Sequence, residues 1–362
     1  MHDRDYMKLA LRLARRGLGR TSPNPMVGAV IVKDGRIIGQ GYHRFFGGKH
    51  AEINALENAT EDVRGATMYV TLEPCRHWGK TPPCVDAIIK SGIGRVAIGT
   101  LDPNPSMSGK SVALLKEPGI QTLVGMLEAE CRTLNEAHFK LMTTGLPLVR
   151  LKFAQTLDGR IATSTGDSRW LSSPQAQRYA HRLRSRHDGV LVGAGTVLAD
   201  DPELTVRLVR GRNPSRIILD AKLRTPLEAK VLKNQKAAPT LIATTSKADG
   251  PKLAAIKRKG IEVLTLAEDE HGEVDLSELL RILGQRGISS LLVEGGAAVI
   301  TSFLRRHLAD RLTAIITPKV MGKGLETVGE LNITEVNKTI RLSFEKVRRV
   351  GEDIVIEAKV MY

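Results

Sequence analysis

The sequence has 362 residues, of which 42% are hydrophobic and 4% aromatic, and it carries a net charge of +15 at pH 7. This length predicts two domains, and the lack of any run of roughly 20 apolar residues excludes a membrane-spanning helix. The positive charge favours an anionic partner such as a nucleic acid, a phosphorylated metabolite or a phosphate-bearing cofactor, although few aromatic side chains are present for stacking on bases.

The first part of the chain predicts a helix, a hairpin and then alternating helices and strands. Apolar residues at helical spacing from Tyr6 to Ala14 predict the helix, and Asp34-Gly35 between the strands 27–32 and 36–42 predicts the hairpin turn. We then expect a helix from His50, strands at 67–72, 95–100 and 121–124, and helices at 82–91, 108–117 and 127–142. This order is typical of a three-layer α/β/α domain.

A second α/β domain is predicted beyond Gly145 and Pro147, which end the last helix. We expect its strands near 149–153, 189–192, 216–219, 240–243, 290–293 and 312–316, with helices at 174–186, 275–287 and 297–307. The predicted domains are therefore 1–145 and 146–362. The N-terminus mixes acids with bases and has no apolar core, so we do not expect a targeting peptide, and three cysteines fit a reducing cytoplasm better than a disulfide framework.

One set of residues in the first half predicts a metal site. His50, Cys75 and Cys84 offer one imidazole and two thiolates, which are ligands that catalytic zinc prefers, and Glu52 could carry a proton beside them. Histidine, any residue and glutamate, followed by Pro-Cys and a second cysteine, is the signature of zinc deaminases, although here eight residues separate the cysteines instead of two. Singly, each residue could equally be a helix cap, a buried cysteine or a solvated acid. Cys131 has no such pattern around it.

Four segments carry a specific resemblance: "TSPNPMVGAVIV", "HAEINAL", "TLEPCRHWGKTPPC" and "DPNP". They resemble the deaminase half of the bifunctional riboflavin-biosynthesis deaminase/reductase family, which has this long spacer between the cysteines. The resemblance implies a cytidine-deaminase-like fold, zinc held by His50, Cys75 and Cys84, and Glu52 as the proton carrier. It also implies pyrimidine-phosphate contacts at Asn24, His43, His77 and Lys80, each of which could otherwise be an ordinary turn or surface residue.

Two glycine-containing strand ends mark the second half. The turn at 193–196 and Glu294-Gly295-Gly296 would each let backbone approach a phosphate, and the helix after Gly296 could face a pyrophosphate. Together with Lys152, these segments resemble the reductase half of the same family, whose fold is similar to dihydrofolate reductase. The resemblance implies NADPH contacts at the following residues: Ala154, Trp170, Thr196, Asp200, Ala221, Gly296, Ala297, Ala298, Val299, Ile300, Thr301 and Ser302.

The same resemblance implies a catalytic role for Lys152 and substrate contacts at Ser168, Arg184, Leu204, Arg207 and Glu294. A guanidinium matches a sugar phosphate, although either arginine could instead be a solvated surface charge. Ala221 stands where family members often carry a hydroxyl residue, so a side-chain bond to the cofactor would be missing there.

We therefore expect a bifunctional enzyme with zinc and NADPH as cofactors and a phosphorylated pyrimidine as substrate. It would hydrolyse the 2-amino group of a diamino-ribosylamino-pyrimidinone 5′-phosphate and reduce the ribosyl group to ribityl. We expect a cytoplasmic homo-oligomer that binds neither nucleic acid nor membrane. One alternative is a zinc-dependent RNA-editing deaminase with a C-terminal nucleic-acid-binding module, and another is a purely structural zinc, which usually needs a fourth ligand.

Overall fold

The computed structural model describes residues 2–105 and 107–362. The chain divides into two compact units, Met1–Gly145 and Leu146–Tyr362, and each is described by itself below. Among the described residues, no helix has both the length and the apolar character needed to cross a membrane.

The first unit has a five-stranded sheet whose strand order is β2-β1-β3-β4-β5. β1 pairs antiparallel with both β2 and β3, and β3, β4 and β5 run parallel. Its elements are α1 (Asp3–Ala14), β1 (Gly28–Lys33), β2 (Arg36–Tyr42), α2 (Ala51–Glu57), β3 (Thr67–Val70), α3 (Cys84–Ser91), β4 (Arg95–Ile98), α4 (Lys110–Lys116), β5 (Gln121–Val124), α5 (Glu128–Leu134) and α6 (Glu136–Thr144).

Alternate residues of these strands face opposite layers, as the pleat of a strand requires. Ile31 of β1 packs with α2, α3 and α4, whereas its neighbour Val30 packs with α1 and α5. Helix α2 approaches the sheet closely at Gly41, where an added Cβ would lie 2.3 Å from the Ala51 carbonyl oxygen. This close approach fixes the start of α2, where His50 and Glu52 lie.

The predicted helix 127–142 is wrong in one respect, because the structure has two helices that meet at Asn135. The Asn135 side chain accepts a hydrogen bond from the Met26 N–H at 2.7 Å and donates one to the Met26 carbonyl at 2.9 Å. Since these bonds join residues far apart in sequence, helical periodicity alone could not reveal the break.

The second unit has a nine-stranded sheet with the order β11-β10-β9-β8-β12-β6-β13-β16-β15, and β14 and β7 form a separate pair. The strands from β11 to β13 are parallel, and β16 and β15 are antiparallel. Its elements are β6 (Leu148–Thr156), β7 (Arg160–Thr163), α7 (Pro174–Arg184), β8 (Gly189–Gly193), α8 (Ala194–Asp200), β9 (Ser215–Leu219), β10 (Thr240–Thr244), α9 (Gly250–Arg258), β11 (Glu262–Thr265), α10 (Leu276–Gln285), β12 (Ser290–Val293), α11 (Ala297–Arg305), β13 (Arg311–Thr317), β14 (Gly324–Glu326), β15 (Arg341–Val350) and β16 (Asp353–Met361).

Helices cover both faces of this sheet. Leu191 of β8 packs with α10 and α11, whereas its neighbours Val190 and Val192 pack with α8 and α9. The segment 193–196, expected to be a turn, is instead the end of β8 and the first turn of α8, which follows Gly193 directly. Seven elements were not anticipated from the sequence: β7, α8, α9, β11, β14, β15 and β16.

Candidate functional site

The structure brings His50, Cys75 and Cys84 together in the first unit. His50 immediately precedes α2, Cys84 begins α3, and Cys75 lies in the loop after β3. The Nδ1 atom of His50 lies 3.4 Å from the Cys75 sulfur and 3.3 Å from the Cys84 sulfur. The three ligand atoms lie within 4.8 Å of one another, and among the described residues they form the one histidine, cysteine or acidic cluster of this kind.

These distances fit a zinc ion. With Zn–S and Zn–N bonds near 2.3 and 2.0 Å, a tetrahedral site places nitrogen and sulfur ligands roughly 3.5 Å apart. Two thiolates and one imidazole are soft and intermediate ligands that suit Zn²⁺. The three groups present therefore match a catalytic zinc site with one further position for water or substrate.

The two cysteine sulfurs interact directly. The Cys84 thiol donates to Cys75 and lowers the pKa of Cys75, while the negative charge so formed and burial raise the pKa of Cys84. The first N–H of α3, that of Cys84, also donates to the Cys75 sulfur at 3.4 Å. A helix N-terminus favours a thiolate, and binding of a divalent cation would release the remaining proton.

His43 and Asn24 lie beside His50. The His43 ring stands edge-on to the His50 ring with centroids 5.2 Å apart. Its Nδ1 lies 3.1 Å from the Lys49 carbonyl and its Nε2 lies 3.3 Å from the amide nitrogen of Asn24. The Lys49 carbonyl can only accept, so Nδ1 carries the proton and Nε2 accepts from Asn24. Burial lowers the pKa of His43, which keeps this ring neutral.

Glu52 lies in the first turn of α2 and is buried. Burial, followed by the Cys75 thiolate, raises the pKa of Glu52 to about 7, and the carboxyl group contacts the Cys84 thiol. A buried carboxyl group beside the three metal-ligating side chains is suited to accepting and returning a proton.

His77 and Lys80 lie on the exposed loop between the two cysteines. The Nδ1 of His77 lies 3.1 Å from the Met107 sulfur, and the Lys80 ammonium lies 3.9 Å from the centre of the Phe46 ring. Their predicted contacts with substrate stay predictions. Thr81, which we did not single out from the sequence, has its hydroxyl 3.4 Å from Nε2 of His50 and so helps to orient that ring.

Glu294, Arg184 and Lys152 form a charged cluster in the second unit. Arg184 binds Glu294 at two points, with Nε 2.6 Å from Oε1 and Nη2 3.0 Å from Oε2, and Lys152 Nζ lies 3.6 Å from Oε2. Burial opposes ionisation of Glu294, but the positive charges of Arg184 and Lys152 outweigh it and lower the Glu294 pKa to about 2. The carboxylate is therefore ionised and holds both cations.

His181 is a further residue of this region that the sequence did not reveal. Its Nδ1 accepts hydrogen bonds from the backbone N–H of Arg207 at 2.9 Å and of Leu208 at 3.4 Å. Burial and then the charges of Arg184 and Arg207 lower the pKa of His181 to about 4. The neutral imidazole thus holds the backbone of Arg207, whose half-exposed guanidinium contacts Glu203 and the Thr205 hydroxyl.

Several of the residues expected to contact NADPH lie on or beside helices α8 and α11. Thr196 of α8 accepts a hydrogen bond from the Gly296 N–H at 3.1 Å, so the starts of α8 and α11 are adjacent. Asp200 ends α8, and its side chain lies 3.5 Å from the Ser168 hydroxyl. Trp170 is 73% exposed. Backbone at the start of α11 is available to an anion.

Three of the expected contact residues are covered by protein. Ala221 and Leu204 are 5% and 2% exposed. The Ala221 carbonyl already accepts from the hydroxyls of Thr245 at 2.9 Å and Thr244 at 3.2 Å. Ile300 is fully buried in α11, whereas Ala297, Ala298, Thr301 and Ser302 border a cavity of about 310 Å³. Ala154 is half-buried on β6.

Comparisons with known proteins identify both units. Residues 147–356 match the family described as the RibD C-terminal domain, and residues 1–100 match the cytidine and deoxycytidylate deaminase zinc-binding region. The chain is 49% identical over 355 residues to the riboflavin biosynthesis protein RibD of Aquifex aeolicus, covering 98% of this chain and 97% of that protein. It is 40% identical over 375 residues to RibD of Escherichia coli, covering 98% of this chain and 99% of that protein.

Solved structures agree with these matches. A diaminohydroxyphosphoribosylaminopyrimidine deaminase/5-amino-6-(5-phosphoribosylamino)uracil reductase of Thermotoga maritima superimposes with a TM-score of 0.87 at 41% identity, covering 99% of this chain and 98% of that one. RibD of Acinetobacter baumannii gives a TM-score of 0.90 at 35% identity, covering 99% of both chains.

The predicted fold class, a cytidine-deaminase-like domain followed by a dihydrofolate-reductase-like domain, is confirmed. Zinc and NADPH are the cofactors, and the main functional prediction is favoured over RNA editing. The chain belongs to the RibD family, the bifunctional deaminase/reductases of riboflavin biosynthesis.

Proposed function

We propose that residues 1–145 deaminate 2,5-diamino-6-ribosylamino-4(3H)-pyrimidinone 5′-phosphate and that residues 146–362 then reduce its ribosyl group to ribityl with NADPH. The observation that carries the first assignment is the cluster of His50, Cys75 and Cys84, with ligand atoms within 4.8 Å of one another beside the buried Glu52. The second assignment rests on the cluster of Lys152, Arg184 and Glu294, whose side chains are 15%, 14% and 6% exposed.

In the first unit, zinc held by His50, Cys75 and Cys84 would lower the pKa of a bound water and so supply a nucleophile at neutral pH. Glu52 takes the proton from the attacking water and delivers it to the leaving amino group, because its carboxyl group lies buried in the first turn of α2, two residues after the ligand His50. Asn24 and His43 offer hydrogen-bonding groups on the wall beside His50, and Lys80 and His77 bind the phosphorylated end of the substrate.

In the second unit, NADPH would supply the hydride for C1′ of the ribosyl group. Lys152 donates a proton to the sugar ring oxygen as the ring opens, since a cation stabilises the negative charge that develops there. Glu294 fixes the Lys152 ammonium 3.6 Å from its Oε2 atom, and Arg184 keeps Glu294 ionised. Arg207 binds the substrate phosphate, and the starts of α8 and α11 bind the cofactor pyrophosphate.

We further propose that the protein works in the cytoplasm as a homo-oligomer and without nucleic acid. The positive charge would then attract the phosphate groups of the substrate and of NADPH. Aromatic residues make up only 4% of the chain, which leaves few side chains to stack on the bases of a nucleic acid.

Removal of zinc tests the assignment of the two reactions to the two units. Chelation should abolish ammonia release from the pyrimidine phosphate while NADPH oxidation on the deaminated intermediate continues, and added Zn²⁺ should restore the first activity. If the zinc-depleted protein loses both activities equally, or releases ammonia at the full rate, the assignment is wrong.

A further inference from the structure

Glu73 is a buried carboxylate two residues before the zinc ligand Cys75. It is 4% exposed, and its two oxygens accept three backbone hydrogen bonds from the loop before α4 and from the first turn of α4. Oε2 accepts from the N–H of Asp102 at 3.1 Å and of Gly109 at 2.9 Å, and Oε1 accepts from the N–H of Ser111 at 3.0 Å. A single side chain therefore holds both ends of the segment 102–111.

Such bonds hold their partners firmly because both oxygens of one buried side chain are used as acceptors. A buried carboxyl group needs such hydrogen bonds to offset the loss of its contacts with water. Glu73 is itself anchored, since its own N–H donates to the Thr100 carbonyl at 2.9 Å. Asp102, Gly109 and Ser111 are thus tied firmly to the same loop that carries Cys75.

The segment held by Glu73 reaches the loop between the two zinc-ligand cysteines. Met107 is 3% exposed, and its sulfur lies 3.1 Å from Nδ1 of His77. His77 itself is exposed and lies on the loop between the two cysteines. The imidazole of His77 contacts Met107, and Glu73 binds the backbone on both sides of Met107. The position of His77 therefore depends on the hydrogen bonds of Glu73.

We propose that Glu73 is a positioning residue for substrate binding: it holds the segment 102–111 so that Met107 supports His77 at the rim of the deaminase site. This inference rests on the deaminase function proposed for residues 1–145. Glu73 acts on affinity for the pyrimidine phosphate, whereas Glu52 and the zinc ligands act on the chemical step.

Glu73→Gln is the direct test, because glutamine has the same shape but presents an NH₂ group to backbone donors on one side. We expect zinc content to be unchanged and the KM for ammonia release to rise by about tenfold, with kcat changing much less. NADPH oxidation on the deaminated intermediate should be unchanged. The matched control is Glu61→Gln, which changes a surface glutamate paired with Arg36 and should leave KM as it is.

Met107→Ala provides a second test that leaves the hydrogen bonds of Glu73 in place. It should raise KM in the same way, and the double variant should be little worse than Glu73→Gln alone, because both changes remove one support of His77. An unchanged KM in either single variant, additive effects in the double variant, or loss of zinc in Glu73→Gln would overturn the proposal. If Glu73→Gln does not fold, Met107→Ala alone decides. Wild-type protein that releases no ammonia would refute the deaminase function itself, which is a separate outcome.

Discussion

Arg184 and Glu294 form a buried two-point ion pair, with N–O distances of 2.6 and 3.0 Å, between α7 and the end of β12. The remaining terminal nitrogen of Arg184 donates to the Thr205 carbonyl at 3.3 Å. All three guanidinium nitrogens of Arg184 therefore already donate hydrogen bonds to acceptors within the protein. We infer that Arg184 acts mainly by holding Glu294, and that the half-exposed Arg207 is the better candidate for direct contact with the phosphate.

Removal of Arg184 should destabilise the second unit. Arg184→Met leaves the Glu294 carboxylate buried with Lys152 as its one remaining cation partner from the cluster, and breaking a buried pair in this way costs about 3–5 kcal/mol. Hydrogen exchange of the buried strand β8 measures the loss. Arg182→Met, on the exposed side of the same helix, is the control and should cost little. Equal protection of β8 in both variants would contradict the structural role of the pair.

Substitutions of Lys152 and Arg207 should affect different kinetic constants of the reductase, kcat for Lys152 and KM for Arg207. Lys152→Ala removes the cation proposed to act on the sugar oxygen, so kcat should fall far more than KM rises. Arg207→Ala removes a phosphate contact and should mainly raise KM. NADPH oxidation on the deaminated intermediate measures both, and ammonia release should continue in both variants. A pure KM effect from Lys152→Ala would exclude its proposed role.

Glu52→Gln should abolish proton transfer without removing the metal. Glutamine keeps the size and polarity of the side chain but cannot accept the proton, so ammonia release should fall by about 10²–10⁴-fold or more while zinc is retained. Metal analysis and an ammonia assay on the same preparation separate the two effects. Deamination at the normal rate would show that another group carries the proton.

Cys75→Ser and Cys84→Ser should each lose zinc, because the remaining ligands do not complete the three-residue set. Ammonia release should then disappear, whereas NADPH binding should be largely kept. Cys131→Ala is the matched control: Cys131 is buried in the core with α1 and α5, so its removal should leave zinc content unchanged. Zinc retained in full by either serine variant would contradict the assigned ligands.

His187 should make the second unit less stable in acid. Burial lowers its pKa from 6.5 to about 4, and Nδ1 donates to the Leu183 carbonyl at 2.8 Å. Between these two pH values, His187 binds a proton in the unfolded chain but not in the folded chain. The contribution of neutral His187 to the free energy of unfolding is therefore complete above pH 6.5 and is lost as the pH falls towards 4. The loss amounts to roughly 3 kcal/mol for this one group.

Hydrogen-exchange protection of the backbone amides of β8, measured from pH 7 to pH 4, tests this expectation. His187→Gln cannot titrate and should show a shallower decline, whereas the exposed His271→Gln should follow the wild type. Equal slopes for His187→Gln and the wild type would show that His187 is not a source of the acid sensitivity.

Much of the zinc cluster could be foreseen because its residues carry a local pattern. The spacing of His50 and Glu52, and the proline before each cysteine, are visible in the sequence, and helices and strands that alternate along the chain indicate both α/β units. Glu73 stands in the same segment, yet its partners lie 29 to 38 residues away, so no local pattern reveals its role.

The same reason explains the other omissions. His181 is defined by hydrogen bonds to backbone 26 and 27 residues away, and the Arg184–Glu294 pair spans 110 residues. Strand β15 is exposed along nearly its whole length at the edge of the sheet, so it lacks the apolar alternation that marks a half-buried strand. Its pairing with β16 fixes it as a strand.

Product analysis of the purified protein acting on the diamino-pyrimidinone ribosyl phosphate, with and without NADPH, tests the central claim most directly. Without NADPH, mass spectrometry should show one amino group replaced by oxygen, with an equal amount of ammonia and an intact ribosyl group. With NADPH, the same product should gain two hydrogens on the sugar as one NADPH is oxidised. Unchanged pyrimidine phosphate and unoxidised NADPH, with conversion of adenosine to inosine in added RNA, would contradict the account.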